Sequence, residues 1–334
     1  MNPELARLLS EAGITEKIGW QNIVALQNYA PLPAVVRTGS APWSRGLNLA
    51  VVLRGQPLFF CKCRPANDVV IERETAIRST LAGDRPGGIS VAPVRLVSSA
   101  RISVQVSPFV PGAHYGRFVP TQSASVYLAT LRMALVGMAT LADLAVRECP
   151  FVRPPVPSVL LSAAAADCLR DLAARAGLDA NEEMALISAV HDAGEVPSRP
   201  QHGDFWWQNL LVTKGQLWAI DFDGYGEVSV PLYDDLTLML TTMVLRAGGV
   251  VGGLVRLMST DAEAIACRAL LAERAASERV RDSQLDGILV YYLTHIAFTV
   301  QRRGSSEWAA PHFEAVRYVA KRLANGDRSL LSPG

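Results

Sequence analysis

Lysine is scarce in this chain: only Lys17, Lys62, Lys214 and Lys321 stand among its 334 residues, and arginine supplies the rest of the 32 basic side chains. These face 31 acidic residues, which leaves a net charge of +1 and no basis for nucleic-acid binding. Cysteine is sparse too. Cys61, Cys63, Cys149, Cys168 and Cys267 are odd in number, and none of their spacings fits a zinc site. Cys61 and Cys63 share one face of a strand and read as small buried apolar side chains, which suits a reducing cytoplasm. Met1 to Trp20 has mixed charge and no apolar core long enough for a signal peptide. Only Leu236 to Met258 invites a membrane reading. Arg246, Arg256 and the pairs Gly248-Gly249 and Gly252-Gly253 interrupt it, so a buried helix and turn is expected instead. Internal repeats and low-complexity tails are missing. Apolar residues are plentiful: they make up 50% of the chain, which excludes disorder, and the length suffices for two cores.

Charge is unevenly placed. Residues 1–112 carry 12 basic against 7 acidic side chains, and the remainder carries 20 against 24. A basic amino-terminal part suits nucleotide phosphates, and a slightly acidic remainder is compatible with a cationic acceptor. Residues 3–30 read as amphipathic helix, with Leu5, Leu8, Leu9 and Ile14 as its stripe. Strands are expected at 33–37, 47–53, 58–64, 91–96 and 102–106, making one small sheet. The loop Thr38 to Gly46 lies where a phosphate cover would be, but it has two glycines and no Walker pattern. Lys62 shares its strand face with Phe60 and Arg64, and Glu72 and Glu74 both fall on the following helix. Beyond residue 112 the pattern is mostly helical, with helices expected at 123–144, 163–176, 180–192, 234–245, 259–279, 283–301 and 307–324.

The most informative segment is His202-Gly203-Asp204-Phe205-Trp206-Trp207-Gln208-Asn209, followed by Ile220-Asp221-Phe222-Asp223. Leu210 to Val212 reads as a strand, Lys214-Gly215 as a turn and Leu217 to Ile220 as the returning strand, which brings Asp221 back beside Asn209. Phosphoryl transfer needs such a set. One carboxylate faces the attacking hydroxyl, while an amide oxygen and a second carboxylate hold magnesium on the nucleotide phosphates.

At these residues the chain resembles the aminoglycoside phosphotransferase and choline kinase-like family, distant relatives of protein kinases. The resemblance implies an α+β, bilobal protein kinase-like fold, with a small antiparallel-sheet N-lobe at 1–112 and a large, mainly helical C-lobe at 113–334. It implies Asp204 as catalytic base and Asn209 and Asp221 as Mg2+ ligands, with ATP, or GTP, as phosphoryl donor. Lys62 would bridge the donor's phosphates, oriented by Glu74, with Glu72 in reserve. The segment 107–112 would be the hinge, holding adenine through the Pro108 carbonyl and the Val110 N–H. With the lysine so fixed, alternation makes Phe60 the roof of the adenine site, and Leu211 its floor. Tyr233-Asp234 would support the catalytic loop, and His202 would brace it. His114, His191, His295 and His312 have no ligand spacing.

Two departures stand out: Trp207-Gln208 replaces the family's Pro-Gly, and Asp223 replaces the Gly of protein kinases. The second leaves open whether Asp223 also binds metal. The acceptor class is not readable: sugar, nucleoside, aminoglycoside, choline-like amine and antibiotic intermediate all fit. Trp206, Trp207 and Tyr225 are candidate aromatic contacts to it. A non-catalytic binding protein is disfavoured by the intact Lys62, Asp204, Asn209 and Asp221, and a protein kinase by the lack of Ala-Pro-Glu after Asp221.

Overall fold

The computed structural model describes residues 3–11, 23–25, 47–53, 56–85, 87–149, 151–152, 156–303 and 306–332. The strand expected at 33–37 and the loop at 38–46 lie outside them. The amino-terminal elements are helix α1 (Pro3–Glu11), strands β1 (Ile23–Ala25), β2 (Leu47–Leu53) and β3 (Gln56–Pro65), helix α2 (Val69–Leu81), and strands β4 (Ile89–Val91), β5 (Arg95–Ser98), β6 (Ile102–Pro108) and β7 (Ala113–His114). Next come α3 (Ala124–Glu148), β8 (Ser158–Leu160), α4 (Leu161–Leu169), α5 (Leu172–Ala176), α6 (Ala180–Ala193) and β9 (Glu195–Pro197). The hairpin β10 (Leu210–Thr213) and β11 (Gln216–Ala219) precedes α7 (Tyr233–Ala247), α8 (Val250–Leu257), α9 (Ala262–Ser277), α10 (Leu285–Arg303) and α11 (Ser306–Ala324).

A five-stranded antiparallel sheet runs β1-β2-β3-β6-β5. Alternation along β3 sorts its side chains. Cys61 and Cys63 are buried with Val51, Val104 and Val106 beneath Leu8 and Leu9 of α1. Phe60, Lys62 and Arg64 therefore lie on the opposite face. Asp68 starts α2 by accepting a hydrogen bond from the Val70 N–H at 2.9 Å. All five cysteines are free and buried.

The segment 91–96 behaves differently from the expectation. It is not one strand of the small sheet: β4 pairs parallel with β11 in a second sheet, ordered β4-β11-β10-β7, and only β5 joins the first. Pro93 stands between the two strands and has no N–H for a ladder, so the chain changes sheets there.

The helical remainder buries one large core that also takes in Ile77 and Leu81 of α2. The helix expected at 163–176 is two, α4 and α5, and the stretch 236–258 is the pair α7 and α8, bent by 107°. Gly248 supplies the left-handed residue (φ 81°) that ends α7. Among the described residues one helix, α3, is long and apolar enough to cross a membrane (mean hydropathy 1.5 over 18 residues), which corrects the expectation that only 236–258 invites that reading. Its Tyr127, Leu131, Leu135, Met138 and Leu141 pack in the core.

Candidate active site

The segment 201–209 is held by its backbone. Asp234, in the first turn of α7, accepts from the N–H groups of His202 (2.5 Å) and Gly203 (3.0 Å), and its own N–H donates to Gln201 Oε1 at 3.1 Å. Burial raises the Asp234 carboxyl to about 7, although those two N–H bonds pull it down. Gly203 has φ +80°, and a Cβ there would come within 2.9 Å of the Gly224 carbonyl, so no other residue fits without strain. His202 is fully buried, with its ring 4.8 Å from that of Phe222 and its Nε2 3.3 Å from the Ile220 carbonyl. Burial pushes its pKa down to about 4, against the pull of Asp221, so the ring is neutral at pH 7 and braces without carrying charge.

Asp204 and Asn209 meet across one tight turn. The Asn209 side-chain amide donates to the Asp204 carbonyl at 2.8 Å and lies 3.4 Å from its Oδ2. That commits the amide nitrogen to the loop and leaves the amide oxygen as the group suited to a cation. The β10–β11 hairpin follows as expected, with Lys214 (φ 49°) and Gly215 (φ 79°) in its two-residue turn. Its far end closes on the loop, where the Ile220 N–H donates to the Asn209 carbonyl at 3.0 Å. Asp221 comes next with φ 60°, a left-handed conformation uncommon for a residue with a side chain and typical of functional sites.

Side chains, by contrast, organise the facing surface of the small sheet. Lys62 Nζ lies 2.8 Å from Glu74 Oε2, 3.0 Å from Asp221 Oδ1 and 2.6 Å from Asp223 Oδ1. Glu72 is exposed at the start of α2. Burial alone would lower the Lys62 pKa, but the Asp221, Glu74 and Asp223 carboxylates outweigh it and hold it above its ordinary value. Glu74 is raised to about 7, chiefly by burial and against Lys62. Behind it, Arg78 lies 3.8 Å from Glu74 and donates to Gln105 at 2.9 Å.

A family model described as the phosphotransferase enzyme family (APH) matches residues 42–249. The chain belongs to that family. It is a small-molecule phosphotransferase acting on a hydroxyl acceptor. Its fold matches solved structures at low identity. A point variant of aminoglycoside 2'-phosphotransferase-IIIa in its GDP complex is 13% identical, with TM-score 0.57 over 98% of this chain and 100% of that one. ADP-bound aminoglycoside phosphotransferase APH(2'')-Ib is 12% identical, with TM-score 0.52 over 95% and 98%. A putative aminoglycoside phosphotransferase from Ralstonia eutropha is 14% identical, with TM-score 0.50 over 84% and 91%. These likenesses show the protein kinase-like fold. A search of curated proteins returned no match.

In this phosphotransferase the segment 107–112 leads from β6 to β7. The Phe109 N–H donates to the Leu58 carbonyl at 2.8 Å. Alternation then turns the Pro108 carbonyl and the Val110 N–H away from β3. Leu211 pairs with His114 across β10 and β7, and its Cβ would lie 3.2 Å from a Cβ at Gly112, so it packs directly against that segment. Phe60 is half-buried on the Lys62 face.

One aromatic expectation is corrected. Tyr225 is 1% exposed, packed on Phe222 and His202, and has no surface to offer an acceptor. Trp206 and Trp207 are half-buried, with ring centroids 5.5 Å apart. The Trp207 ring presses on Gly116, where a Cβ would stand 2.2 Å from it, so the indole replaces the family's Pro-Gly by packing. The sequence reading gave no role to Arg64, which meets Asp223 at 3.1 Å, or to Arg73, which donates to the Tyr225 carbonyl. Parity with Lys62 was the available signal for Arg64. For Arg73 there was none.

The donor set fits a hard divalent cation. Carboxylate oxygens of Glu74, Asp221 and Asp223 lie within 4.8 Å of one another, and the backbone of Asn209 is hydrogen-bonded to that of Ile220, the residue before Asp221. Lys62 engages all three carboxylates, and of these the Asp221 side chain is the most exposed, at 45%.

Proposed function

We propose that this phosphotransferase moves the γ-phosphate of ATP, or of GTP, to a hydroxyl of a small metabolite or antibiotic-like acceptor, with Asp204 as the base. The observation that carries this reading is the convergence of Lys62 with Glu74 and Asp221 at 2.8 and 3.0 Å, beside a loop that joins Asp204 to Asn209. Lys62 binds the donor's phosphates and Glu74 orients it. Phe60 and Leu211 enclose the base, and the Pro108 carbonyl and Val110 N–H read its edge, with 107–112 as hinge between a nucleotide lobe at 1–112 and a helical lobe at 113–334. Asn209 and Asp221 hold Mg2+, which when bound neutralises phosphate charge. Asp204 accepts the proton of the attacking hydroxyl, and the rest of the catalysis is positioning and charge stabilisation. The solved relatives bound to GDP and ADP support a nucleotide donor.

The test is a screen of ATP and GTP consumption against sugars, nucleosides, aminoglycosides and amino alcohols, with wild type and Asp221→Ala. Acceptor-dependent consumption and magnesium-dependent nucleotide binding, the latter lost in Asp221→Ala, are expected. Unchanged magnesium dependence in the variant would remove Asp221 from the metal site.

A further inference from the structure

The proposed function uses Lys62 and leaves its neighbouring cation unexplained. Arg64 lies two residues along β3, on the same face. The two cations share one carboxylate: Lys62 Nζ takes Asp223 Oδ1 at 2.6 Å, and the Arg64 guanidinium takes Oδ2 at 3.1 Å through NH2. The adjacent Arg64 Nε is buried with no hydrogen-bond partner among the described residues. Nε and NH2 are the two donors that form a parallel fork on a carboxylate, so half of that fork is made and the other half waits.

We infer that Arg64 is a positioning residue that takes over Asp223 when Lys62 leaves it for the nucleotide phosphates. The inference rests on the reading of Lys62 as the phosphate lysine. An ammonium has three donors, and Lys62 meets three carboxylate oxygens at 2.6 to 3.0 Å, so an arriving phosphate must displace one of them. Glu74, 1% exposed, has Lys62 as its closest cation and would be left a buried, poorly matched charge. Asp221 remains near the same phosphates as a cation ligand. Asp223 is the partner with a second cation already in contact, so its release leaves no carboxylate uncompensated. Closing the fork onto Oδ1 as Lys62 departs keeps the loop after β11 docked to the small sheet throughout. Without Arg64, Asp223 would hold Lys62 as its sole cation and compete with the phosphates.

The experiment is calorimetric titration of ATP, with and without magnesium, into wild type and five variants, each checked for folding by thermal unfolding. Arg64→Gln is expected to weaken ATP binding roughly tenfold, a coupling of ordinary size for contacting charges. Asp223→Asn alone should tighten it, and Arg64→Gln combined with Asp223→Asn should return to within about threefold of that single variant. Arg64→Lys, which keeps the charge but cannot form the fork, should weaken binding less than Arg64→Gln, and it carries the same comparison if Arg64→Gln does not fold. Unaltered affinity in Arg64→Gln overturns the inference. So does weakening that Asp223→Asn fails to rescue, which would mean that Arg64 touches phosphate itself. Weakened magnesium-dependent binding in Asp223→Asn alone overturns it in favour of Asp223 as a metal ligand. Lys62→Ala separates the two levels: if it leaves ATP binding unchanged, the nucleotide reading fails and this inference with it; if it weakens binding while the Arg64 variants do not, only this inference fails.

Discussion

The loop 202–209 and the Lys62 face of the small sheet hold their polar groups by different means. In the loop the backbone does the holding: two N–H groups on Asp234, a left-handed Gly203, and a hairpin whose end returns to the Asn209 carbonyl. On the small sheet the backbone supplies only a face. Lys62, Arg64, Glu74, Asp221 and Asp223 find one another through side chains from three separate elements. The first arrangement exists before any ligand arrives, as electrostatic preorganisation requires. On the reading proposed above, the second must exchange partners when nucleotide binds, because its central ammonium is engaged by three carboxylates.

The sharpest break between the regions should come at Asp204. Asp204→Asn is expected to lower turnover by roughly 10²–10⁴ while leaving ATP affinity nearly unchanged. Turnover within a few fold of wild type would assign the base elsewhere.

Asp234→Ala tests the backbone side of the comparison without touching substrate. It leaves the His202 and Gly203 N–H groups buried and unpaired, at about 1–3 kcal/mol each, so denaturant unfolding should show a loss of about 3 kcal/mol. A loss under about 1 kcal/mol would mean that the loop is held by its aromatic packing instead.

A smaller effect is expected from pH. His202 is neutral in the folded chain down to about pH 4, whereas in the unfolded chain it takes a proton near 6.5. Between those values the unfolded state binds more protons, so stability is lost as pH falls through that window. From pH 6.5 to 4.5, wild type should therefore lose about 2 kcal/mol more than His202→Asn. The buried carboxylates raised to about 7, Asp234, Glu74 and Glu278, push the other way, but they are common to both chains and cancel in the difference. Equal slopes would show that the ring is solvated.

The smallest contrast lies within α2. Glu74→Gln should weaken ATP binding by roughly tenfold, and Glu72→Gln should leave it within about twofold, since an exposed acidic group in a first turn contributes little. The reverse result would shift the working register of that helix by two residues.

How much of this was legible beforehand differs between the same two regions. Asp204, Asn209 and Asp221 are joined by a five-residue spacing and a two-residue hairpin turn, so their proximity follows from local chemistry. The parity of β3 was equally local: Cys61 and Cys63 inward fixes Lys62 and Arg64 outward. The strand at 91–96 was misread because periodicity finds extended chain without saying which sheet receives it. Tyr225 was misread because an aromatic near a motif looks the same in sequence whether exposed or packed on His202.

By itself the sequence determined that Asp204, Asn209 and Asp221 come together and which face of β3 carries the lysine, since both depend on short-range backbone geometry. Only the tertiary structure decided that Glu74 rather than Glu72 meets Lys62, that Asp223 is shared between Lys62 and Arg64, and that Ile89–Val91 crosses to the sheet of the β10–β11 hairpin. Those outcomes depend on contacts between elements up to 161 residues apart. Their energies come from burial and charge pairing in the assembled fold, and no local pattern in the chain encodes them.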